Sequence, residues 1–200
     1  MTNQTQPAAK RKTHLDLVVG INGTGKTTFL RQNVVERSRK ALVVTPDEAE
    51  WRFLPTVSTA REIYNLQGAA RLVCDGSEEQ LLMVTRSFYG GALVFDDAMA
   101  YLQFGSTSPV MRYVYIRRRQ FGVDIYLVAH GLRQIPVQAF TFGSHLILFA
   151  TTENFSSRRR ELDPDTYTRI ERAQQQLRTL ASSGNPYAFK IITLDPTLRQ

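Results

Sequence analysis

The sequence predicts an α/β fold with a mostly parallel central sheet flanked by helices. Three observations lead there. Short apolar runs alternate with helix-like segments along most of the chain. A glycine-rich stretch, Gly20-Ile21-Asn22-Gly23-Thr24-Gly25-Lys26-Thr27-Thr28, joins the first apolar run to the first helical one. A later apolar run ends in two adjacent acids, Asp96-Asp97.

Taken in order, residues 1–13 carry polar residues and the cluster Lys10-Arg11-Lys12 without hydrophobic period, and are expected to be a flexible basic tail. Residues 14–200 are expected to form a single domain. His14 to Val19 reads as a central strand, and Lys40 to Thr45 repeats its apolar character until Pro46-Asp47 ends it, so a β-α-β unit is set early. Ser58 to Ile63 has the form of a short capped helix, and Ala69 to Cys74 of a further strand. Glu78 to Phe88 reads as a helix with Leu81, Leu82 and Thr85 on one face, closed by Gly90-Gly91.

Ala92 to Phe95 is a strand. Ser108-Pro109 opens a helix that runs through Arg117-Arg118-Arg119 to Gly122. Val123 to Ala129 is a buried strand ending at His130, and His145 to Ala150 is a fifth core strand. Asp163-Pro164 starts a helix whose Tyr167, Ile170, Ala173, Leu177 and Leu180 share a side, and Tyr187 to Leu194 closes the chain as an edge strand.

Two hundred residues with 42% apolar content suit a folded protein with an ample core. No run approaches the roughly 18 apolar residues of a membrane span, and no signal-peptide core is present, so an intracellular protein is expected. Cys74 is the only cysteine, which excludes an intramolecular disulfide and a cysteine-rich zinc site. It reads as a small buried hydrophobe. The net charge of +7 favours contact with polyanions, and it fits simple solubility as well.

The spacing Gly20, four residues, Gly25-Lys26-Thr27 is that of a phosphate-binding P-loop, in its required context of strand before and helix after. Glycines let successive N–H groups converge on an anion, and residues Gly20 to Thr28 are the expected nucleotide cradle. Lys26 is expected to reach the β- and γ-phosphates, and Thr27 to place its hydroxyl on Mg2+. The apolar strand ending in Asp96-Asp97 has Walker B form: Asp96 is expected to hold Mg2+, and Asp97 to orient or deprotonate the attacking water. His130, at a strand's carboxyl end, is placed to sense the γ-phosphate or position water. Three successive arginines point about 100° apart around a helix, so Arg117, Arg118 and Arg119 cannot all face one ligand. One or two of them are expected to serve a site, or all are solvated and complement the helix dipole. No Asn-Lys-x-Asp guanine signature follows the Walker B strand.

The string from Arg119-Gln120-Phe121-Gly122 through Val123-Asp124-Ile125-Tyr126-Leu127-Val128-Ala129-His130 to Pro136 resembles the FtsK–HerA group of P-loop ATPases. Within that group Asp96-Asp97 and the compact length look most like the genome-packaging ATPases of membrane-containing and related viruses. The resemblance covers roughly residues 15–152. It implies an additional-strand P-loop fold of order 5-1-4-3-2, and a ring, commonly a hexamer, that pulls DNA through a channel by hydrolysing ATP with Mg2+. It puts Asp97 where many relatives have Glu and His130 where they often have Gln. It also makes Arg118 or Arg119 an arginine finger acting across the subunit boundary. The implied partners are double- or single-stranded DNA and a viral capsid or portal vertex, in the host cytoplasm or on the particle. Two other functions stay open on the residues alone: a monomeric P-loop kinase with Ser156 to Glu161 as a mobile arginine lid, and a nucleotide-gated assembly module.

Overall fold

The computed structural model describes residues 12–74, 76–100 and 109–198. Most of the expected basic tail, with Lys10 and Arg11, and the Ser108 helix cap lie outside these residues. The elements are β1 (Leu15–Val19), α1 (Lys26–Leu30), β2 (Lys40–Thr45), α2 (Ala60–Tyr64), β3 (Gly68–Val73), α3 (Glu78–Ser87), β4 (Gly91–Phe95), α4 (Pro109–Arg112), α5 (Arg118–Phe121), β5 (Val123–Ala129), α6 (Val137–Phe142), β6 (His145–Phe149), α7 (Pro164–Ser182) and β7 (Phe189–Thr193). They form an α/β fold around one seven-stranded sheet of order β3-β2-β4-β5-β1-β6-β7, parallel except for β7, which runs antiparallel to β6.

The sheet is wider than the five-strand order expected from the family resemblance. Its middle, β6-β1-β5-β4-β2, runs in that order, while β3 adds a strand beyond β2 and β7 adds one beyond β6. Each extension is an edge, and each reads differently from the centre. β1 is buried throughout, whereas β3 alternates toward exposure and the first three residues of β7 are exposed. Central parallel strands are covered on both faces, so their sequences are continuously apolar, and edge strands need cover on one face only.

Alternation along the strands divides the core into two layers. Leu15, Leu17 and Val19 of β1 join Leu93, Phe95, Ile125, Leu127, Leu146 and Leu148 on the face that also packs Val84, Val114, Ile170 and Leu177. Val18 joins Val43, Val94, Val128, Ile147 and Phe149 on the other face, against Leu30, Val34 and Val35 of the helix after the P-loop. That helix continues α1 in π-helical geometry over Arg31–Val35. A second π-helical segment, Tyr113–Arg117, links α4 to α5, and Gly122 ends α5 at φ +67°.

Caps read from sequence take the expected form. Thr59 and Glu62 make a reciprocal capping box on α2, and the Asp163 side chain accepts from the N–H groups of Asp165 and Thr166 ahead of Pro164. Cys74 is buried. On α7, Tyr167, Ile170, Ala173 and Leu177 are buried, but Leu180, expected on the same side, is exposed.

Candidate nucleotide site

The parallel strands place the ends of β1, β2, β4 and β5 along one edge, and a cleft of about 630 Å³ opens there. The loop after β1 contributes Asn22, Gly23, Gly25, Lys26, Thr27 and Thr28; the ends of the neighbouring strands contribute Thr45, Pro46, Asp47, Glu50, Asp96, Asp97 and His130. Ligands of open α/β sheets bind at this position, outside the carboxyl ends of the strands.

The loop is pinned at its root. Gly20 N–H donates to Ala129 C=O (3.2 Å) and Ile21 N–H to Ala150 C=O (3.0 Å), so β5 and β6 both hold it. Gly20 has no room for a side chain: a Cβ would stand 2.5 Å from the Phe149 Cβ and 2.9 Å from the Thr24 hydroxyl oxygen. Gly25 caps α1 at φ 90°, a left-handed conformation that favours glycine. The Thr24 hydroxyl donates to Ile21 C=O (2.8 Å) and closes the loop. Lys26 is buried, and its Nζ donates to the carbonyls of Gly20 (2.6 Å) and Ile21 (3.1 Å). Burial pushes this ammonium below its ordinary pKa, and the carboxylates of Asp96, Glu50 and Asp97 oppose that shift.

Across the cleft, Asp96 N–H donates to Val44 C=O (2.9 Å), which fixes the tip of β4 beside β2. Its carboxylate accepts the Trp51 indole N–H at 2.6 Å and shares a hydrogen bond with Glu50. Burial, then the Asp96 charge, holds the Glu50 carboxyl above the usual carboxylate range. Asp97 takes φ 46°, and its Oδ1 lies 3.5 Å from His130 Nε2. The N–H groups of His130 and Gly131 both donate to Gln134 Oε1 (2.8 and 3.1 Å), so Gln134 sets the direction in which β5 ends. Among the described residues, only Trp51 and Asp97 are non-glycine residues with positive φ, and both stand at this cleft or its Asp96 wall. Backbone strain of this kind costs of order 1–3 kcal/mol per residue and persists where surrounding contacts enforce it.

The donor set has two halves. Lys26 and the loop N–H groups suit phosphate oxygens. Thr27, Asp96, Asp97 and Glu50 offer oxygens only, the ligand type of a hard divalent cation such as Mg2+. A second hollow of about 480 Å³ shares Gly25, Thr28 and Tyr187 with the cleft and is otherwise walled by Phe29, Gln32, Asn33, Phe149 and Phe189.

No protein-family model matches the sequence, and no curated protein does. Solved structures do match. The genome packaging NTPase B204 from Sulfolobus turreted icosahedral virus 2, in complex with AMPPCP, is similar with a TM-score of 0.70 at 13% identity, over 91% of this chain and 93% of that one. Its complex with ATP-gammaS gives 0.68 at 14% identity, over 91% and 92%. B204, the DNA-packaging ATPase from Sulfolobus Turreted Icosahedral Virus, gives 0.59 at 12% identity, over 89% and 96%. The fold resembles that of a viral genome-packaging NTPase. At these identities the likeness is one of fold, carried through nearly the whole length of both chains.

Of the residues expected at the site, Lys26, Thr27, Asp96, Asp97 and His130 line one cleft, and the arginines stand elsewhere. Arg118, expected as one of two arginine-finger candidates, is 2% exposed and directed inward: its guanidinium donates to the carbonyls of Val114, Tyr115 and Phe142. Its charged head is turned into the fold and not to the surface. Arg117 and Arg119 are exposed. Arg158 donates to the carbonyls of Arg133 and Ile135 and pairs with Glu161, inside a short 3-10 helix, Ser156–Arg160. Glu50 and Trp51 were not legible as site residues. Their segment follows β2, and the signal that finds them is the pairing of β2 with β4, which brings that segment against Asp96.

Proposed function

We propose that the chain binds Mg2+-ATP in this cleft and hydrolyses it, and that it does so as a subunit of a ring, a hexamer by family resemblance, that moves DNA during viral genome packaging. The convergence of Lys26, Thr27, Asp96, Asp97, Glu50 and His130 on one cleft carries this reading. The fold likeness to B204, the DNA-packaging ATPase, supports the biological setting. Phosphate oxygens take the place of the Gly20 and Ile21 carbonyls as partners of Lys26 Nζ. Thr27 and Asp96 hold Mg2+, which supplies charge neutralisation for the transferring phosphoryl group. Asp97, oriented by His130, positions the attacking water. The aromatic hollow beside the loop takes the base, with Tyr187 at the junction between base and phosphates. Arg119 is the exposed arginine of the pair expected from the family, and it serves the cleft of a neighbouring subunit, where arginine fingers contribute about 10^3–10^5 in rate. The protein works in the host cytoplasm or at the particle's capsid or portal vertex, on double- or single-stranded DNA.

The kinase reading gains nothing from the arginine segment, since none of Arg158, Arg159 and Arg160 lines the cleft. The test is ATP hydrolysis with and without double-stranded DNA over a range of protein concentrations and two salt levels. DNA stimulation that grows with protein concentration supports an oligomeric translocase. Turnover indifferent to both, with phosphate transferred to an added nucleoside monophosphate, overturns it.

A further inference from the structure

The opposite edge of the sheet holds a second cluster that the nucleotide cleft does not use. His14 immediately precedes β1, Asp16 lies within it, and His145 opens β6 in register with Asp16. Residues two apart on a strand share a face, so His14 and Asp16 project together, and the parallel register sets His145 beside them. One ligating atom from each lies within 4.8 Å of the others, the His14 and His145 rings are 5.5 Å apart, and Asp16 Oδ1 stands 2.9 Å from His145 Nδ1. Asp16 is buried, while His14 and His145 are half-buried.

The Asp16–His145 pair satisfies itself, but it leaves a group over. His14 Nδ1 is enclosed and has no hydrogen-bond partner among the described residues. An unmade hydrogen bond on an enclosed nitrogen is costly, and such groups call for an explanation. The cluster is also held in place from behind. His14 N–H donates to Asp124 Oδ1 (3.0 Å), and Leu15 N–H to Ser144 Oγ (3.2 Å). Lys12 is drawn aside by Asp195 (3.8 Å) and Thr197 (3.2 Å), and the buried Arg118 guanidinium, which interacts with Asp16 and Asp124 through charge, is held by the carbonyls of Val114, Tyr115 and Phe142.

We propose that His14, Asp16 and His145 form a binding site for a divalent transition-metal ion of the zinc class, one per chain. Two imidazoles and one carboxylate are ligands that such ions take at about 2.0–2.2 Å, with solvent in the remaining position. Mg2+ and Ca2+ prefer all-oxygen sets and are not expected here. Tetrahedral coordination places ligand atoms roughly 3.3 Å apart, so binding opens the 2.9 Å Asp16–His145 contact slightly and holds His14, whose ligating atom lies within 4.8 Å of both, beside them. The bound ion joins the start of β1 to the start of β6, at the far end of the strand that carries the P-loop.

The test uses the full-length protein, stripped with chelator and then kept in excess Mg2+ so that the oxygen site of the cleft is occupied. Titration with ZnCl2 by calorimetry is expected to show about one equivalent bound, with a rise of several degrees in the thermal midpoint. Both effects are lost in His14→Gln and in His145→Gln. Co2+ as a spectroscopic probe should give visible bands of a low-coordinate nitrogen-oxygen site in the wild type. Those bands should vanish in His14→Gln, the variant that leaves the Asp16–His145 bond in place and so is expected to fold. No stoichiometric binding by the wild type overturns the site. Binding of equal strength in both variants, or Co2+ bands unchanged by His14→Gln, shows an adventitious ion only and overturns it equally.

Discussion

The two ends of β1 both carry charged groups, and they are built differently. At the carboxyl end, Lys26, Asp96, Asp97 and Glu50 surround open space: Lys26 leans on its own loop's carbonyls, while Glu50 and Asp96 bring two acids together. At the amino end, Asp16 and Asp124 are buried within hydrogen-bonding distance of His145 Nδ1 and the His14 N–H. Charges brought together around a volume are arranged for a ligand, and charges that close on each other hold strands. Among the described residues the amino end leaves His14 Nδ1 enclosed without a partner, and the proposed metal ion supplies one.

The contrast can be broken by substitution. The largest effect is expected at the carboxyl end: Asp96→Asn should lower ATP turnover by at least about 100-fold, the scale on which one preorganised electrostatic group acts in a transition state. It should leave the urea midpoint little changed, because the Trp51 and Val44 hydrogen bonds survive in the amide. Near-normal turnover in Asp96→Asn would remove the distinction between the two ends.

Arg118 and Arg119 sharpen it next. Arg118→Met retains the apolar stem but deletes hydrogen bonds to three carbonyls, and should cost about 2–4 kcal/mol in urea unfolding. Arg119→Ala should change stability by no more than about 0.5 kcal/mol, as an exposed substitution, while lowering turnover only at protein concentrations where subunits associate. Trp51→Phe, which puts a smaller ring in place of the buried indole and deletes the N–H to Asp96, should cost about 1–3 kcal/mol and raise the Mg2+ concentration needed for half-maximal turnover.

The smallest effect lies away from both ends, in the capping box of α2. Hydrogen bonds from Ser58 and Thr59 hold the exposed Glu62 carboxylate below its ordinary pKa of 4.5. A carboxylate with a lowered folded-state pKa contributes stability that is present above its ordinary value and lost as pH falls through the folded one. The small difference in urea midpoint between wild type and Glu62→Gln should therefore shrink on acidification below pH 4.5.

The P-loop and the caps were legible because their residues answer to local demands: a glycine where no Cβ fits, a hydroxyl or carboxylate three residues before an unpaired N–H. The central strands were legible for a similar reason, since cover on both faces leaves a continuous apolar run. What depends on strands distant in sequence was not. Glu50 and Trp51 join the site through the β2–β4 pairing, and β3 shows its place at the sheet edge only once β2 is placed. Arg118 and Arg119 are adjacent and chemically identical, and only the packing of α5 against the Phe142 carbonyl separates the buried one from the exposed one. His14 and Asp16 share a face by their spacing, but His145 joins them through a β1–β6 register that no local pattern encodes.

The most direct test of the carboxyl-edge cleft as a hydrolytic nucleotide site is Mg2+-dependent release of phosphate from ATP by the wild type and by Lys26→Ala, measured at equal protein concentration. The account predicts turnover in the wild type and its loss, by about 100-fold or more, in Lys26→Ala. Turnover that persists undiminished in Lys26→Ala would contradict it.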